Sequence, residues 1–291
     1  MSAQRAIRIT EVGPRDGLQN ELVAISTAAK IAFINALSNA NFAEIEVTSF
    51  VRADRIAQLA DAAAVMAGIT RAAGTVYSAL VPNERGLDGA LAAGAEKISV
   101  FVSASESFSQ RNVNATIHEC LEKLSLVVRR ARAAKLPVRG YVSCVVKCPY
   151  DGAISAEQVR EVCAQLLEMG VTELDLGDTI GAAVPDDMDR LLAGLQTLAA
   201  PKDITLHLHN TSGRAIAVAE RAIALGVVSF DCSAGGLGGC PYAPGSPGNV
   251  ATEDMLEMAA RLGIATGVNA EHVRAATDQL RQDMVSARAQ R

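Results

Sequence analysis

Two histidines two positions apart, His207-Leu208-His209, have the most chemically suggestive spacing in this chain of 291 residues. Residues i and i+2 of a strand point to the same face, so both imidazoles would face one way. A carboxylate from another strand end would complete an open site for a divalent cation. Asp16, in Gly13-Pro14-Arg15-Asp16-Gly17, is the candidate carboxylate, and Asn249 is a candidate neutral oxygen. Two nitrogens and two oxygens, with positions left for water or substrate, suit an octahedral Mg²⁺ or Mn²⁺. Zn²⁺ fits less well without a pair of thiolates. The competing reading of His-x-His is a hydrogen-bonded pair on a strand.

Other residue types add to that chemistry. Arg15 stays charged and can stabilise an enolate oxygen beside a metal; otherwise it is a salt bridge holding the first strand. Glu46 and Asp178 can orient neighbours or relay protons, or each pairs with a core arginine. Residues 233–249 are too rich in Gly and Pro for helix or strand, and they carry one thiol, Cys240. A long glycine loop of this kind usually closes over something. Cys240 could then move a proton if its pKa is tuned; otherwise it is a small loop residue. The remaining cysteines, at 120, 144, 148, 163 and 232, fall in helix or strand patterns and read as core. His118 and His272 read as surface.

These residues need elements to hold them. Strand-like and helix-like runs alternate at roughly 30-residue intervals, the size of a βα unit. Strands are expected at 7–12, 44–50, 76–81, 97–103, 138–146, 173–178, 204–209 and 228–232. Helices are expected at 27–37, 56–66, 87–93, 116–135, 155–169, 185–199, 215–225 and 253–262, with Ser26 or Thr27 capping the first and Thr252 the last. Eight such units point to an α/β fold, a (β/α)8 TIM barrel with extra C-terminal helices. One domain is expected over 1–291, the barrel at about 5–265 and one or two outer helices in the remainder. A doubly wound sheet is disfavoured, because no dinucleotide glycine fingerprint follows the first strand. In the barrel reading, Arg15, Asp16, Asp178, His207 and His209 all fall at strand ends, where barrel chemistry sits.

Composition narrows the partners. A net charge of −5 argues against nucleic-acid or anionic-membrane binding. No apolar run is long enough to span a bilayer. The cysteines form no Cys-x-x-Cys pair, and the N-terminus shows no secretory h-region. The expectation is a cytoplasmic protein with reduced thiols. Aromatics are only 3%, so Ala, Val, Leu and Ile are expected to fill the core.

The motif Glu11-Val12-Gly13-Pro14-Arg15-Asp16-Gly17-Leu18-Gln19-Asn20-Glu21 resembles the opening motif of the hydroxymethylglutaryl-CoA lyases. Gly236-Leu237-Gly238-Gly239-Cys240-Pro241-Tyr242 is similar to that family's signature around its cysteine. Further matches are Ile45-Glu46-Val47-Thr48-Ser49-Phe50, Gly140-Tyr141-Val142-Ser143-Cys144, Leu176-Gly177-Asp178-Thr179-Ile180-Gly181 and Gly248-Asn249-Val250-Ala251-Thr252-Glu253-Asp254. Together they run from residue 11 to about 269. The resemblance implies a barrel that cleaves 3-hydroxy-3-methylglutaryl-CoA to acetyl-CoA and acetoacetate in leucine or ketone-body breakdown. It implies Mg²⁺ or Mn²⁺ on Asp16, His207, His209 and Asn249, with Arg15 stabilising the enolate and Cys240 transferring a proton. Glu46 and Asp178 would support the site, His207 or Asp178 would accept the hydroxyl proton, and Gln19 and Thr179 would join Arg15 in substrate contact. A homodimer is also implied.

The residues suit that reaction. A retro-Claisen cleavage needs a hydroxyl deprotonated, an enolate stabilised and its carbon protonated. Two positions depart from the family pattern: Asn210, where His-x-His-Asp-Thr is common, and Lys147, where a small residue is expected. No C-terminal Cys-Lys-Leu is present, so no peroxisomal address is expected. Alternatives are a longer-branched 3-hydroxy-3-alkylglutaryl-CoA or citramalyl-CoA as substrate, or a Claisen-condensing enzyme like the isopropylmalate and homocitrate synthases. Those synthases usually carry a longer C-terminal region. A non-catalytic barrel that binds metal or CoA is the reading from a different class.

Overall fold

The computed structural model describes residues 5–239 and 248–289. The chain runs through β1 (Arg8–Glu11), α1 (Thr27–Ser38), β2 (Glu44–Ser49), α2 (Ala62–Gly68), β3 (Val76–Leu80), α3 (Glu84–Ala92) and β4 (Lys97–Ser103). Two helices follow, α4 (Glu106–Val113) and α5 (Ile117–Ala133), then β5 (Val138–Ser143) and a small hairpin of β6 (Lys147–Cys148) and β7 (Gly152–Ala153). The second half is α6 (Ala156–Met169), β8 (Glu173–Asp178), α7 (Pro185–Leu195), β9 (Ile204–Leu208), α8 (Ala215–Ala224), β10 (Ser229–Cys232), α9 (Thr252–Arg261) and α10 (Ala270–Ala289). Eight of the strands close into a barrel in the order β1-β10-β9-β8-β5-β4-β3-β2, each parallel to its neighbours. This is the (β/α)8 TIM barrel expected from the alternation of runs.

Local sequence explains most element ends. Ser26 caps α1 by accepting from the Ala29 N–H, and Asn83 caps α3 through Gly86. Thr116 with Glu119, and Ser155 with Gln158, form reciprocal capping boxes at α5 and α6. Gly170, at φ 97°, ends α6 in a conformation that favours glycine. Some boundaries differ from expectation. The run at 56–66 breaks into a short turn at Ala57–Leu59 and then α2. The segment before α5 folds as α4, which pattern reading missed. Thr252 is not the cap of α9: Ala251 holds that position, and the Thr252 hydroxyl donates to the buried Glu11 carboxylate at 2.7 Å. The C-terminal segment forms one helix, α10, which packs on α1 and α9 and buries Val273, Ala276, Thr277 and Leu280.

Aliphatic side chains fill the layer between strands and helices, as expected: Ile45, Ile98, Val100, Leu174, Leu206 and Phe230 are all buried there. The centre of the barrel is different. Arg139 on β5 is 1% exposed and reaches Asp231 on β10 (2.9 Å), Thr10 on β1 (3.1 Å), Glu44 on β2 (3.0 Å) and Glu173 on β8 (2.9 Å). Lys97 joins Glu44 at 2.9 Å and also bonds Glu173. The axis is thus filled by a paired ionic stack, because alternate strand residues facing inward here are charged rather than aliphatic.

Candidate active site

The strand ends above Arg139 carry the polar cluster. After β1 the chain makes a tight helical turn over Gly13–Gly17, in which the Val12 carbonyl accepts from the N–H groups of Arg15 (3.1 Å), Asp16 (2.7 Å) and Gly17 (3.2 Å). A side chain at Gly13 would place its Cβ 2.6 Å from Glu11 Oε1, so the turn requires glycine there. Glu11 accepts from the N–H groups of Gly13 (2.8 Å) and Ala234 (2.9 Å), tying this turn to the loop after β10. Arg15 and Asp16 are thereby held at the mouth.

Arg15 is buried, donates from Nε to Glu46 Oε2 at 2.5 Å and pairs with Asp16 through Nη1. Glu46 also accepts from the Ser99 hydroxyl and faces the Tyr141 hydroxyl at 3.3 Å. Burial alone would raise the Asp16 carboxyl, but Arg15 and the two histidines hold it down at about 2. It is a carboxylate at neutral pH.

His207 lies on β9 and His209 just beyond it. Residues 248–250 pair antiparallel with this strand end: the Asn210 N–H donates to the Gly248 carbonyl and the Val250 N–H to the Leu208 carbonyl. That pairing sets Asn249 beside His209. His207 Nε2 is 3.3 Å from His209 Nε2 and 3.8 Å from Asp16 Oδ2, and Asn249 Nδ2 donates to Asp16 Oδ2 at 2.8 Å. Burial and then the neighbouring His207 push His209 down to about 4, so its imidazole is neutral at pH 7. For His207 burial works downward, yet Asp231 and Asp16 raise it overall.

Ligand atoms of Asp16, His207 and His209 lie within 4.8 Å of one another. Two cis ligands about 2.1 Å from an octahedral cation sit about 3 Å apart, close to the separation of the two imidazole nitrogens. Two imidazoles and a carboxylate, with a carboxamide beside them, therefore fit a divalent cation. Asp16, His207 and His209 line a cavity of 680 Å³ together with Arg15, Gln19 and Thr179, and Gly238 and Gly239 border it.

Other expected residues lie apart from this cluster. Asp178 follows the cavity-lining Gly177 on β8, and strand alternation turns it to the outer side. Its carboxylate accepts from the N–H groups of Ala182 (3.0 Å) and Ala183 (2.9 Å), and burial raises its pKa. It anchors the loop after β8. Asn210 accepts from the Ala215 N–H at the start of α8, so its carboxamide serves a helix rather than an imidazole. Lys147 is exposed on the β6–β7 hairpin. Cys240 lies outside the described residues. Sequence reading missed Asp231 and Tyr141. Asp231 is the cross-strand partner of His207, and the alternation Ser229-Phe230-Asp231-Cys232 marks it as an inward polar residue.

Fold and site together define a (β/α)8-barrel enzyme with a cluster able to hold a cation at the C-terminal ends of its strands. The chain belongs to the HMGL-like family, whose model matches residues 6–280. It is 48% identical over 272 residues to the human cytoplasmic 3-hydroxy-3-methylglutaryl-CoA lyase, covering 94% of this chain and 74% of that protein. The crystal structure of the HMG-CoA lyase from Brucella melitensis superposes with a TM-score of 0.94 at 46% identity, over 96% of this chain and 98% of that one. An HMG-CoA lyase from A. baumannii, solved in complex with coenzyme A and 3-methylmalate, has a TM-score of 0.92 at 33% identity and covers 98% of this chain and 93% of that one.

Proposed function

We propose that this chain is a divalent-cation-dependent lyase that cleaves 3-hydroxy-3-methylglutaryl-CoA to acetyl-CoA and acetoacetate. The observation that carries the reading is the convergence of Asp16, His207 and His209 beside Arg15 on one cavity, in a chain nearly half identical to a lyase named for that substrate. A bound Mg²⁺ or Mn²⁺ lowers the pKa of an alcohol and supplies positive charge. Asp16, His207 and His209 would hold it, with Asn249 beside Asp16.

Arg15, fixed between Glu46 and Asp16, presents a guanidinium where the enolate oxygen develops. Glu46 orients that guanidinium and touches Tyr141. His207 has Nε2 at the cavity and Asp231 behind Nδ1, an arrangement that stabilises an imidazolium accepting the hydroxyl proton; Nε2 serves the cation or the proton, one at a time. Asp178 has its oxygens engaged on the outer side of β8, so its support of the reaction runs through the loop it anchors. Gln19 and Thr179 line the cavity, where they would contact the substrate. Cys240 is assigned the protonation of the enolate carbon, since the adjoining Gly239 borders the cavity. A closing glycine loop would keep bulk water from the carbanion.

The reading carries with it an acyl-CoA substrate, a role in leucine breakdown, a cytoplasmic location and a homodimer. Its human relative is named cytoplasmic, and among the described residues no helix is long and apolar enough to cross a membrane. The deciding experiment measures acetyl-CoA release from 3-hydroxy-3-methylglutaryl-CoA after chelation, with and without added Mn²⁺, beside a longer-branched analogue. Metal-restored cleavage of the methyl substrate is expected. Cleavage of the analogue alone, or of neither, would overturn the assignment.

A further inference from the structure

The two histidines of the cluster are held differently. His209 Nδ1 is buried and has no hydrogen-bond partner among the described residues. His207 Nδ1 lies 3.2 Å from Asp231 Oδ2. The two residues are direct cross-strand partners, His207 on β9 and Asp231 on β10. Asp231 is itself fixed from the far side. Its Oδ2 accepts from the Tyr141 hydroxyl at 2.9 Å, and its Oδ1 accepts from Arg139 Nη1 at 2.9 Å. The Tyr141 ring meets the His207 ring edge-on, at 86° and 6.0 Å between centroids. Asp231 is 2% exposed, so water does not compete for these bonds.

We propose that Asp231 is a positioning residue: it holds the proton of neutral His207 on Nδ1 and so keeps the Nε2 lone pair aimed at the Asp16–His209 cluster. The claim rests on the cation reading above only for its consequence, since the tautomer is a property of the protein alone. A carboxylate has acceptors and no donor, so the bond at Nδ1 requires N–H on that side. A carboxylate behind a ligand imidazole fixes its tautomer and orientation, and losing such a partner costs about 10- to 100-fold in metal affinity. His209 has no such partner at Nδ1; in the metal-free protein its Nε2 faces the Nε2 lone pair of His207 at 3.3 Å and donates to it, so the tautomer of His209 follows from that of His207.

Asp231→Asn tests this with nearly the same shape. Arg139 is a donor only and retains the amide oxygen, which leaves the amide NH₂ facing His207 Nδ1. That reverses the bond and moves the imidazole proton to Nε2, where it blocks a ligand. Nitrogen-15 spectra of the metal-free protein at about pH 9, where an ordinary imidazole is neutral, read the tautomer directly. Wild-type His207 is expected as Nδ1–H and the variant as Nε2–H, with Mn²⁺ affinity by calorimetry lower by about 10- to 100-fold in the variant. Wild-type His207 found as Nε2–H overturns the proposal without reference to any variant, so a variant that fails to fold does not shelter it. A folded variant that binds Mn²⁺ like wild type overturns it as well. Failure of the wild type itself to bind Mn²⁺ would overturn the proposed function instead, while the wild-type tautomer still decides the role of Asp231.

Discussion

Arg139→Met removes one cation from the barrel axis and keeps most of its volume. The guanidinium bonds three carboxylates, Glu44 at 3.0 Å, Glu173 at 2.9 Å and Asp231 at 2.9 Å, and lies 3.4 Å from Asp175. The loss is unequal. Glu44 and Glu173 keep Lys97, and Glu173 also keeps Arg8 at 2.5 Å. Asp231 keeps Tyr141 and His207. Asp175, 0% exposed, loses its contact with Arg139 as well, but burial and the neighbouring Asp231 push its carboxyl well above the usual carboxylate range, so it carries less of the loss than the paired anions. Removing one partner of a buried ionic group costs about 3–5 kcal/mol, and the retained partners keep the figure inside that range although several bonds are lost. At about 2 °C per kcal/mol for a chain of this length, Tm should fall by about 6–10 °C. Urea unfolding followed by circular dichroism measures the cost. Adding Asp231→Asn removes one of the stranded anions, so the double variant should lose about 0.5–3 kcal/mol less than the two single losses summed. A loss below about 1 kcal/mol for Arg139→Met, the range of surface ion pairs, would refute the reasoning. It would mean that the carboxylates around Arg139 are already neutral in the folded protein.

Three more outcomes follow from the same geometry. Burial alone would raise the Glu173 carboxyl, but Arg139, Lys97 and Arg8 hold it at about 2, below its ordinary 4.5. Its stabilisation is therefore complete above pH 4.5 and lost as pH falls toward 2; the wild type should lose up to about 3 kcal/mol across that window, and Glu173→Gln should lack that slope in urea titrations. Gly238→Ala adds a Cβ at φ 96° that would sit 2.8 Å from Asn249 Nδ2 and 3.1 Å from Gly17 Cα, whereas a Cβ on Gly239 meets nothing within 4 Å among the described residues. Mn²⁺ affinity should fall in the first variant and hold in the second; equal behaviour would break the proposed place of Asn249 beside Asp16. Arg15→Gln should lower kcat for acetyl-CoA release by about 10²–10³ while Mn²⁺ still binds, and an unchanged kcat would remove the enolate role.

The parts of the site that strand periodicity and end position define were legible in the sequence. His207 and His209 share a face because they are two residues apart, and Asp16 falls one turn beyond β1. Asp178 lies apart from the cluster for a related reason: a strand-end position does not reveal the side, and alternation from Glu173 through Asp175 and Gly177 turns it outward, where its carboxylate accepts from Ala182 and Ala183. Alternation is also interrupted in β2: the register shifts between Glu46 and Thr48, so Ser49 rather than Thr48 returns to the inner side and borders the cavity. The ionic axis was hidden more deeply. Inward charges can be read from runs such as Glu44-Ile45-Glu46, but which anion meets which cation depends on the stagger of eight closed strands. That stagger brings Arg139, 92 residues before Asp231 in sequence, within 2.9 Å of it. It has a consequence for function. Arg139 fixes Asp231, and Asp231 fixes His207, so the groups that stabilise the barrel also aim a ligand at its mouth. Substitutions low in the axis should therefore lower cation affinity along with stability, while those in the aliphatic outer layer, such as at Ile98 or Leu174, should lower stability and leave affinity in the folded fraction intact.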